Sequence, residues 1–289
     1  MKLPSIYNGH PARGLATLDY WLMRTLRRNM PQFLVDFLLD HGFYIRPGTD
    51  TSQPEWMARR YVERAAAHGV AMAGATVCVV GYGGGYGVGV HLLEAGADRV
   101  ILQDPFAPER VSRNRRLDPA IRERYFTMGS DGWVPDRNHI ELVHSDLDAW
   151  SHDHPAVADI VVSSSVLEHV EDITSLLRGC ARITRPAGVN VHYIDLRDHY
   201  FRYPFEMLCY REQTWRRWLN ASNNLNRLRL PDYQRAFADA FEHCDVDVRE
   251  RLPEEFARAR DRIRAEFLTG DEQIDAASLI RVEARGPRH

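Results

Sequence analysis

Cysteine is scarce in this chain: four in 289 residues, Cys78, Cys180, Cys209 and Cys244, with no C-x-x-C pair among them. Neither a zinc frame nor a disulfide scaffold is implied. Cys78 lies in an apolar run and Cys180 among helically spaced apolar residues, where a free thiol packs as a small hydrophobe. A reducing cytoplasm is the expected setting. No apolar run approaches the ~18 residues of a membrane span, and the first residues, MKLPSIYNGHPARG, lack the apolar core of a secretion signal. The chain therefore reads as soluble and intracellular, with no membrane partner. Excess charge of one sign is also missing, since 37 basic and 40 acidic residues leave a formal charge of -3. That balance argues against general nucleic-acid binding, which needs a basic face to neutralise phosphates. Local clusters such as Arg24-Thr25-Leu26-Arg27-Arg28 read as solvated helix faces.

What is present is an ordinary globular composition, 44% hydrophobic and 27% charged, in a chain long enough to bury a substantial core. From Glu55 onward, short apolar runs alternate with amphipathic stretches, which predicts a parallel sheet covered on both faces. Helices are predicted at 55–67, 86–94, 173–183, 231–241 and 253–267. Strands are predicted at 76–80, 99–103, 139–144, 160–163, 189–194, 245–249 and 277–284. Arg185-Pro186-Ala187-Gly188 reads as the turn that ends the 173–183 helix. The first 50 or so residues show apolar spacing at Tyr20–Leu26 and Phe33–Phe43, suggesting two helices outside the sheet. Such helices suit simple packing, a lid or a homodimer surface.

The most informative stretch is Ala75–Val90, ATVCVVGYGGGYGVGV, a buried strand that breaks into glycines and becomes a helix. Glycines at such a turn leave no Cβ between the main chain and a ligand. A dinucleotide fingerprint needs G-x-G-x-x-G. From Gly81, Gly83 or Gly85 the sixth position is Tyr86, Val88 or Val90, so that spacing is missing. The pattern present is G-x-G-x-G, at Gly81, Gly83 and Gly85. Asp104 ends the second predicted strand, 23 residues after Gly81, where its two oxygens suit the two hydroxyls of a ribose. Asp146 ends the third predicted strand.

The glycine pattern after Val77-Cys78-Val79-Val80 resembles motif I of the class I S-adenosylmethionine-dependent methyltransferases. The run from Ala158 to Val170, ADIVVSSSVLEHV, is similar to that family's fourth-strand motif with its closing leucine, glutamate and histidine. Leu176–Gly188 is similar to the segment preceding the family's fifth strand. The resemblance covers about residues 55–195 and is nearest to the small-molecule methyltransferases of the quinone-biosynthesis type. The segment from His192 to Tyr233 is weakly similar to bacterial polysaccharide and secondary-metabolite methyltransferases.

This resemblance implies an α/β fold with a Rossmann-like seven-stranded, mostly parallel sheet over residues 55–289. Beside it, the apolar spacing noted above reads as a helical N-terminal extension at 1–54, and the aromatic and basic segment after the fifth strand reads as a lid-like substrate insertion at 197–230. The implied cofactor is S-adenosylmethionine, held by Gly81, Tyr82, Gly83, Gly85, Asp104, Pro105, Asp146, Leu147, Ser163 and Ser164. The implied reaction is methyl transfer, on oxygen or nitrogen, to a small polar or sugar-like acceptor. His169, Asp195 and His199 are the candidate bases, and no metal is expected. Val79 stands where the family usually carries an acid that helps hold the methionine ammonium, and Ala187 replaces a usual glycine. Two other readings stay open: an NAD-dependent oxidoreductase, carried by Asp104 and the fold, and a non-catalytic methyltransferase-fold binding subunit, carried by Val79.

Overall fold

Strongly branched and aliphatic runs such as Thr76-Val77-Cys78-Val79-Val80 favour strands buried on both faces. A computed structural model of the chain, which describes residues 13–31, 52–107, 114, 117–129, 132–199, 202–220 and 225–288, places them in one seven-stranded sheet. In chain order the principal elements are α1 (Arg13–Asn29), α2 (Pro54–Ala67), β1 (Thr76–Val80), α3 (Gly87–Glu94), β2 (Arg99–Gln103) and α4 (Pro119–Tyr125). A hairpin of β3 (Phe126–Gly129) and β4 (Gly132–Pro135) leads to β5 (Ile140–Val143), α5 (Leu147–Ser151) and β6 (Ala158–Ser164). Next come α6 (Ile173–Ile183), β7 (Thr184–Asp195), α7 (Leu230–Ala240), β8 (Phe241–Arg251), α8 (Pro253–Ala259), α9 (Glu272–Asp275) and β9 (Ala277–Pro287).

The sheet order is β5-β2-β1-β6-β7-β9-β8. The first five strands are parallel, while β9 runs antiparallel between β7 and β8. The carboxyl ends of β1, β2, β5, β6 and β7 therefore share one edge. Strand order reverses between β1 and β6, the place where open α/β sheets bind ligands.

Alternation along the strands builds two cores. Val77, Val79, Val100, Leu102, Val162 and Val191 face α2 and α3. Cys78, Val80, Ile101, Val161 and Ile194 face the α5, α6 and α7 side. Gly89 permits the close approach of α3 to the sheet, because a Cβ there would meet the Leu102 side chain at 2.9 Å. A third cluster joins α1 to the segment after β7 and to α8, through Tyr20, Phe205, Met207, Trp215 and Phe256.

Most predicted elements stand within a few residues of their expected limits. Four readings change. The predicted helix over 253–267 stops at Ala259 and breaks into the short 3-10 turns Arg260–Arg262 and Ala265–Phe267, with Ile263 extended between them. The strand predicted at 245–249 lengthens to Phe241–Arg251, because β9 offers it a full antiparallel partner. The turn read at 185–188 does not end the preceding helix; Thr184 already pairs with Ala158, and the next pair is Ile160 with Val189, so those four residues bulge from the strand. The β3–β4 hairpin carries no clean two-residue alternation and was not anticipated. The helix expected at Phe33–Phe43 lies outside the described residues.

Candidate functional site

The glycine turn follows directly from β1. Gly81 (φ +72°), Gly83 (φ +63°) and Gly84 (φ +76°) all occupy the left-handed region, which explains why glycine recurs there. The Gly81 N–H donates to the Gln103 carbonyl at 2.7 Å, and the Gly85 N–H to the Tyr82 carbonyl at 3.3 Å. Asp104, half-buried at the end of β2, accepts from the Gly83 N–H at 3.1 Å and from the Phe106 N–H at 2.9 Å. It thus ties the glycine turn to its own strand while each oxygen keeps further acceptor capacity. Asn114 holds the turn from the other side, accepting from the Tyr86 N–H at 2.9 Å and donating to the Gly84 carbonyl at 3.2 Å. The rings of Tyr82 and Tyr86 stack at 6.2 Å, with His144 tilted against Tyr82 at 6.3 Å.

The other expected cofactor contacts divide between side chain and main chain. Pro105 is exposed beside Asp104. Asp146 is exposed and caps α5, accepting from the Ala149 N–H at 3.1 Å. Leu147 buries its side chain in the core, so only its backbone is available to a ligand. Ser163 is fully buried, its hydroxyl bonded to His192 Nδ1 at 2.7 Å on the helical side of the sheet. Ser164 is half-buried at the end of β6. Beyond it Ser165 adopts φ +54°, a conformation that costs a non-glycine residue of order 1–3 kcal/mol. That turn sends Val166 over the glycine loop, where a Cβ on Gly81 would stand 2.3 Å from Val166 Cγ2.

Three donors gather next to this turn. Glu168 and His169 come from the 3-10 turn Leu167–His169, and His199 comes from the loop after β7. His199 Nε2 lies 3.9 Å from Glu168 Oε1, and the two imidazoles meet edge to face at 4.7 Å. Burial pushes the His199 pKa down to about 3, helped by His169, Arg24 and Arg197 against the opposing pull of Asp195. Asp195 ends β7 as expected, but its Oδ1 accepts from Arg197 N–H and Nε and its Oδ2 from a terminal nitrogen of the same guanidinium at 2.7 Å. Arg197 also reaches Glu250 at 3.2 Å. Asp195 is thereby an anchor of the loop.

The cover over this region is also built from buried polar pairs. Asp198 is fully buried; Tyr20 donates to it at 2.5 Å and Arg24 forms an ion pair with it. Arg24 lies over the Trp215 ring at 4.9 Å. Burial works against the Arg24 charge, yet Asp198 and Tyr20 raise its pKa above the ordinary value. Asn226 donates its side-chain amide to the carbonyls of Leu167 at 2.8 Å and Val170 at 3.0 Å, stapling the 225–229 loop onto the Glu168 turn. A recess of about 190 Å³ opens alongside, lined in part by Glu171, Glu212, Trp215, Asn220 and Asn226. The larger depression, about 710 Å³, lies at the opposite, amino-terminal edge of the sheet near Gly74, Asp159 and Arg185.

His192 makes a pH prediction. It is fully buried beside Phe237, and burial pushes its pKa down to about 3. The unfolded chain takes up a proton near pH 6.5 that the folded chain refuses until about pH 3, so stability falls as pH drops through that window. The expected contribution is up to about 1.4 kcal/mol per pH unit. Denaturant unfolding of His192→Asn, which keeps a polar partner for Ser163, should show a shallower pH slope than the parent. An unchanged slope would remove His192 from the acid response.

Sequence reasoning passed over several residues that matter here. Glu168 was visible within the Leu-Glu-His string but carried no role. Asn114, Val166 and Tyr20 gave no local signal, because their partners lie 28 to 178 residues away; Arg24, read as part of a solvated helix face, is instead buried against Asp198.

The sheet order, the antiparallel β9 insertion and a glycine turn at the switch point define the class I methyltransferase fold. The chain matches the family described as Methyltransferase domain over residues 82–191. It is similar to Ubiquinone biosynthesis O-methyltransferase of Pectobacterium carotovorum, 28% identical over 115 residues, 40% of this chain and 41% of that one. The protein of the same name from Aliivibrio fischeri strain MJ11 is 29% identical over 115 residues, 40% of this chain and 42% of its own. The chain thus matches about two-fifths of the length of these relatives. Among solved structures, an S-adenosylmethionine dependent methyltransferase from Mesorhizobium loti aligns over 81% of this chain and 98% of its own, with 20% identity and a TM-score of 0.44.

Proposed function

We propose that the protein transfers the methyl group of S-adenosylmethionine to a hydroxyl of a small polar acceptor. The observation that carries this reading is the shared strand edge. Gly81–Gly85, Asp104 and Asp146 stand at the ends of β1, β2 and β5, and Glu168, His169 and His199 follow β6 and β7 on the same edge. In the proposal the glycine turn faces the methionine portion, Asp104 accepts from the ribose hydroxyls, and Asp146 with the Leu147 backbone meets the adenine. Val79 points into the core, so main-chain carbonyls near Gly81 and Ser163 receive the ammonium. Relatives named as O-methyltransferases favour oxygen over nitrogen.

A sulfonium methyl is already activated, and the protein's task is to align the acceptor with the methyl–sulfur axis and exclude water. Orientation of that kind supplies up to ~7–11 kcal/mol. The lid function falls to the 197–230 segment with α1 over it, and the acceptor lies next to His169 and His199. The outer face of α1, with Leu18, Leu22 and Leu26 exposed, is the surface through which two copies would pair. All four thiols are free, and burial raises the pKa of each, which suits a reducing cytoplasm.

Calorimetry tests the reading. The purified chain should bind S-adenosylmethionine or its demethylated product and not NADH. Asp104→Ala should weaken binding at least about tenfold, since hydrogen bonds to a charged acceptor contribute ~1.5–3 kcal/mol. Failure of the parent protein to bind either form of the cofactor would overturn the proposal. Mass spectrometry of extracts incubated with deuterated-methyl donor would then identify the acceptor.

A further inference from the structure

We propose that Arg60 is an anion-binding residue at the carboxyl edge of the sheet, and that it takes a carboxylate of the acceptor, which makes the acceptor an acid that also carries the methylated hydroxyl. The acceptor part rests on the methyl-transfer reading; the anion site does not.

Three arginines lie along α2, and two of them meet acids: Arg59 pairs with Glu55 at 3.2 Å and Arg64 with Glu283 at 2.5 Å. Arg60 is held differently. Its guanidinium lies over the Trp56 ring at 5.0 Å and the Tyr193 ring at 5.8 Å, and its Nε donates to the Tyr193 hydroxyl at 3.4 Å. Among the described residues no carboxylate pairs with it. Aromatic contact fixes the guanidinium and leaves its two terminal nitrogens, the fork that fits both oxygens of a carboxylate.

The fork stands where the acceptor is proposed to lie. Long helical side chains lean toward the helix N-terminus, and Arg60 does so, reaching Trp56 one turn back. That end of α2 lies beside the start of α3, since a Cβ on Gly87 would meet the Pro54 Cβ at 2.8 Å. Tyr193 stands opposite Ser164, the last residue of β6, and its carbonyl accepts from the Ser165 N–H at 2.9 Å. Arg60 thus adjoins the ends of β6 and β7, whose following segments carry His169 and His199. β6 separates β7 from the glycine turn on β1, so the fork lies on the acceptor side of the cofactor's proposed place.

Arg60 is half-buried over a buried Tyr193, which strengthens pairing with an anion, while the exposed Trp56 keeps a path from solvent. A carboxylate there gains charge-assisted hydrogen bonds that an uncharged group of the same shape cannot make. The site therefore selects acids. The methionine carboxylate of the cofactor has the same chemistry, and the experiment separates the two sources.

The test titrates the full-length protein, with and without the demethylated cofactor product, and reads calorimetry and tryptophan fluorescence. The probes are 4-hydroxybenzoate against 4-hydroxybenzamide, and glucuronate against glucose. At least one acid should bind about tenfold or more tightly than its uncharged counterpart. Arg60→Gln should abolish that preference, Arg60→Lys should keep part of it as a point charge without the fork, and Arg59→Gln should keep all of it. Acids that bind no better than their counterparts overturn the proposal, as does a preference that survives in a folded Arg60→Gln protein. S-adenosylmethionine should bind Arg60→Gln within about twofold of the parent; a loss of about tenfold or more assigns the fork to the cofactor's own carboxylate and overturns the acceptor site. An acid preference in a protein that binds no S-adenosylmethionine leaves the anion site standing and removes the methyl-transfer reading.

Discussion

Gly81→Val is expected to weaken S-adenosylmethionine binding at least about 100-fold and to lower stability by about 3 kcal/mol. Two independent strains produce this. Gly81 holds φ +72°, which a β-branched residue adopts only at a cost of order 1–3 kcal/mol. A Cβ there would also lie 2.3 Å from Val166 Cγ2 and 2.7 Å from its Cγ1, so Val166 or the loop must move. Either displacement shifts the Gly81 N–H from the Gln103 carbonyl and disturbs the strand ends against which the cofactor is proposed to lie. Gly69→Val is the matched control: Gly69 has φ +77°, and a Cβ added there would meet nothing within 4 Å. It should lose stability through backbone strain alone and keep cofactor binding. Calorimetry and urea unfolding of both variants decide the matter, and intact binding by Gly81→Val would show that the turn does not face the ligand.

Asp198→Ala should cost about 3–5 kcal/mol, the usual penalty for breaking a buried ion pair. Asp198 is fully buried and satisfies both Tyr20 and Arg24. Truncation leaves the Arg24 guanidinium, itself 5% exposed, facing Trp215 with no counter-charge. α1 should then loosen, and the proteolysis rate within residues 13–29 should rise before the sheet unfolds. Replacing the whole group, as Tyr20→Phe, Arg24→Met and Asp198→Leu together, should recover most of the loss, because well-packed apolar side chains substitute for buried ion pairs. Denaturant melts with protease sensitivity check both. If Asp198→Ala melts as the parent does, the ion pair is not what holds α1 in place.

Element identity was legible wherever local pattern and tertiary demand agreed. β1, β2 and α6 occur at their predicted residues because apolar alternation, glycine breaks and helical spacing coincide there. The 253–267 stretch misled because its charges and its apolar Phe256, Ala259 and Ile263 all keep helical spacing, while the backbone leaves the helix and turns extended at Ile263. β8 was underestimated because its mixed polar sequence gives weak strand signal, and its length is set by pairing with β9. In the candidate site, Gly81, Gly83, Asp104 and Asp146 stand at strand ends that the sequence itself marks. Asp195 was marked by the same rule, yet its local partner Arg197 commits both its oxygens.

By itself the amino-acid sequence determined the alternating α/β plan, the glycine turn with its G-x-G-x-G spacing and the acids at successive strand ends. These are local properties, set by backbone preference and by hydrophobic period. Only the tertiary structure decided that Glu168 joins His169 and His199, that Ser163 turns its hydroxyl away to His192, and that α1 closes over Asp198. Those relations join residues distant along the chain, and burial charges a cost for every polar group left without a partner, so they exist only once the sheet has brought its strand ends to one edge.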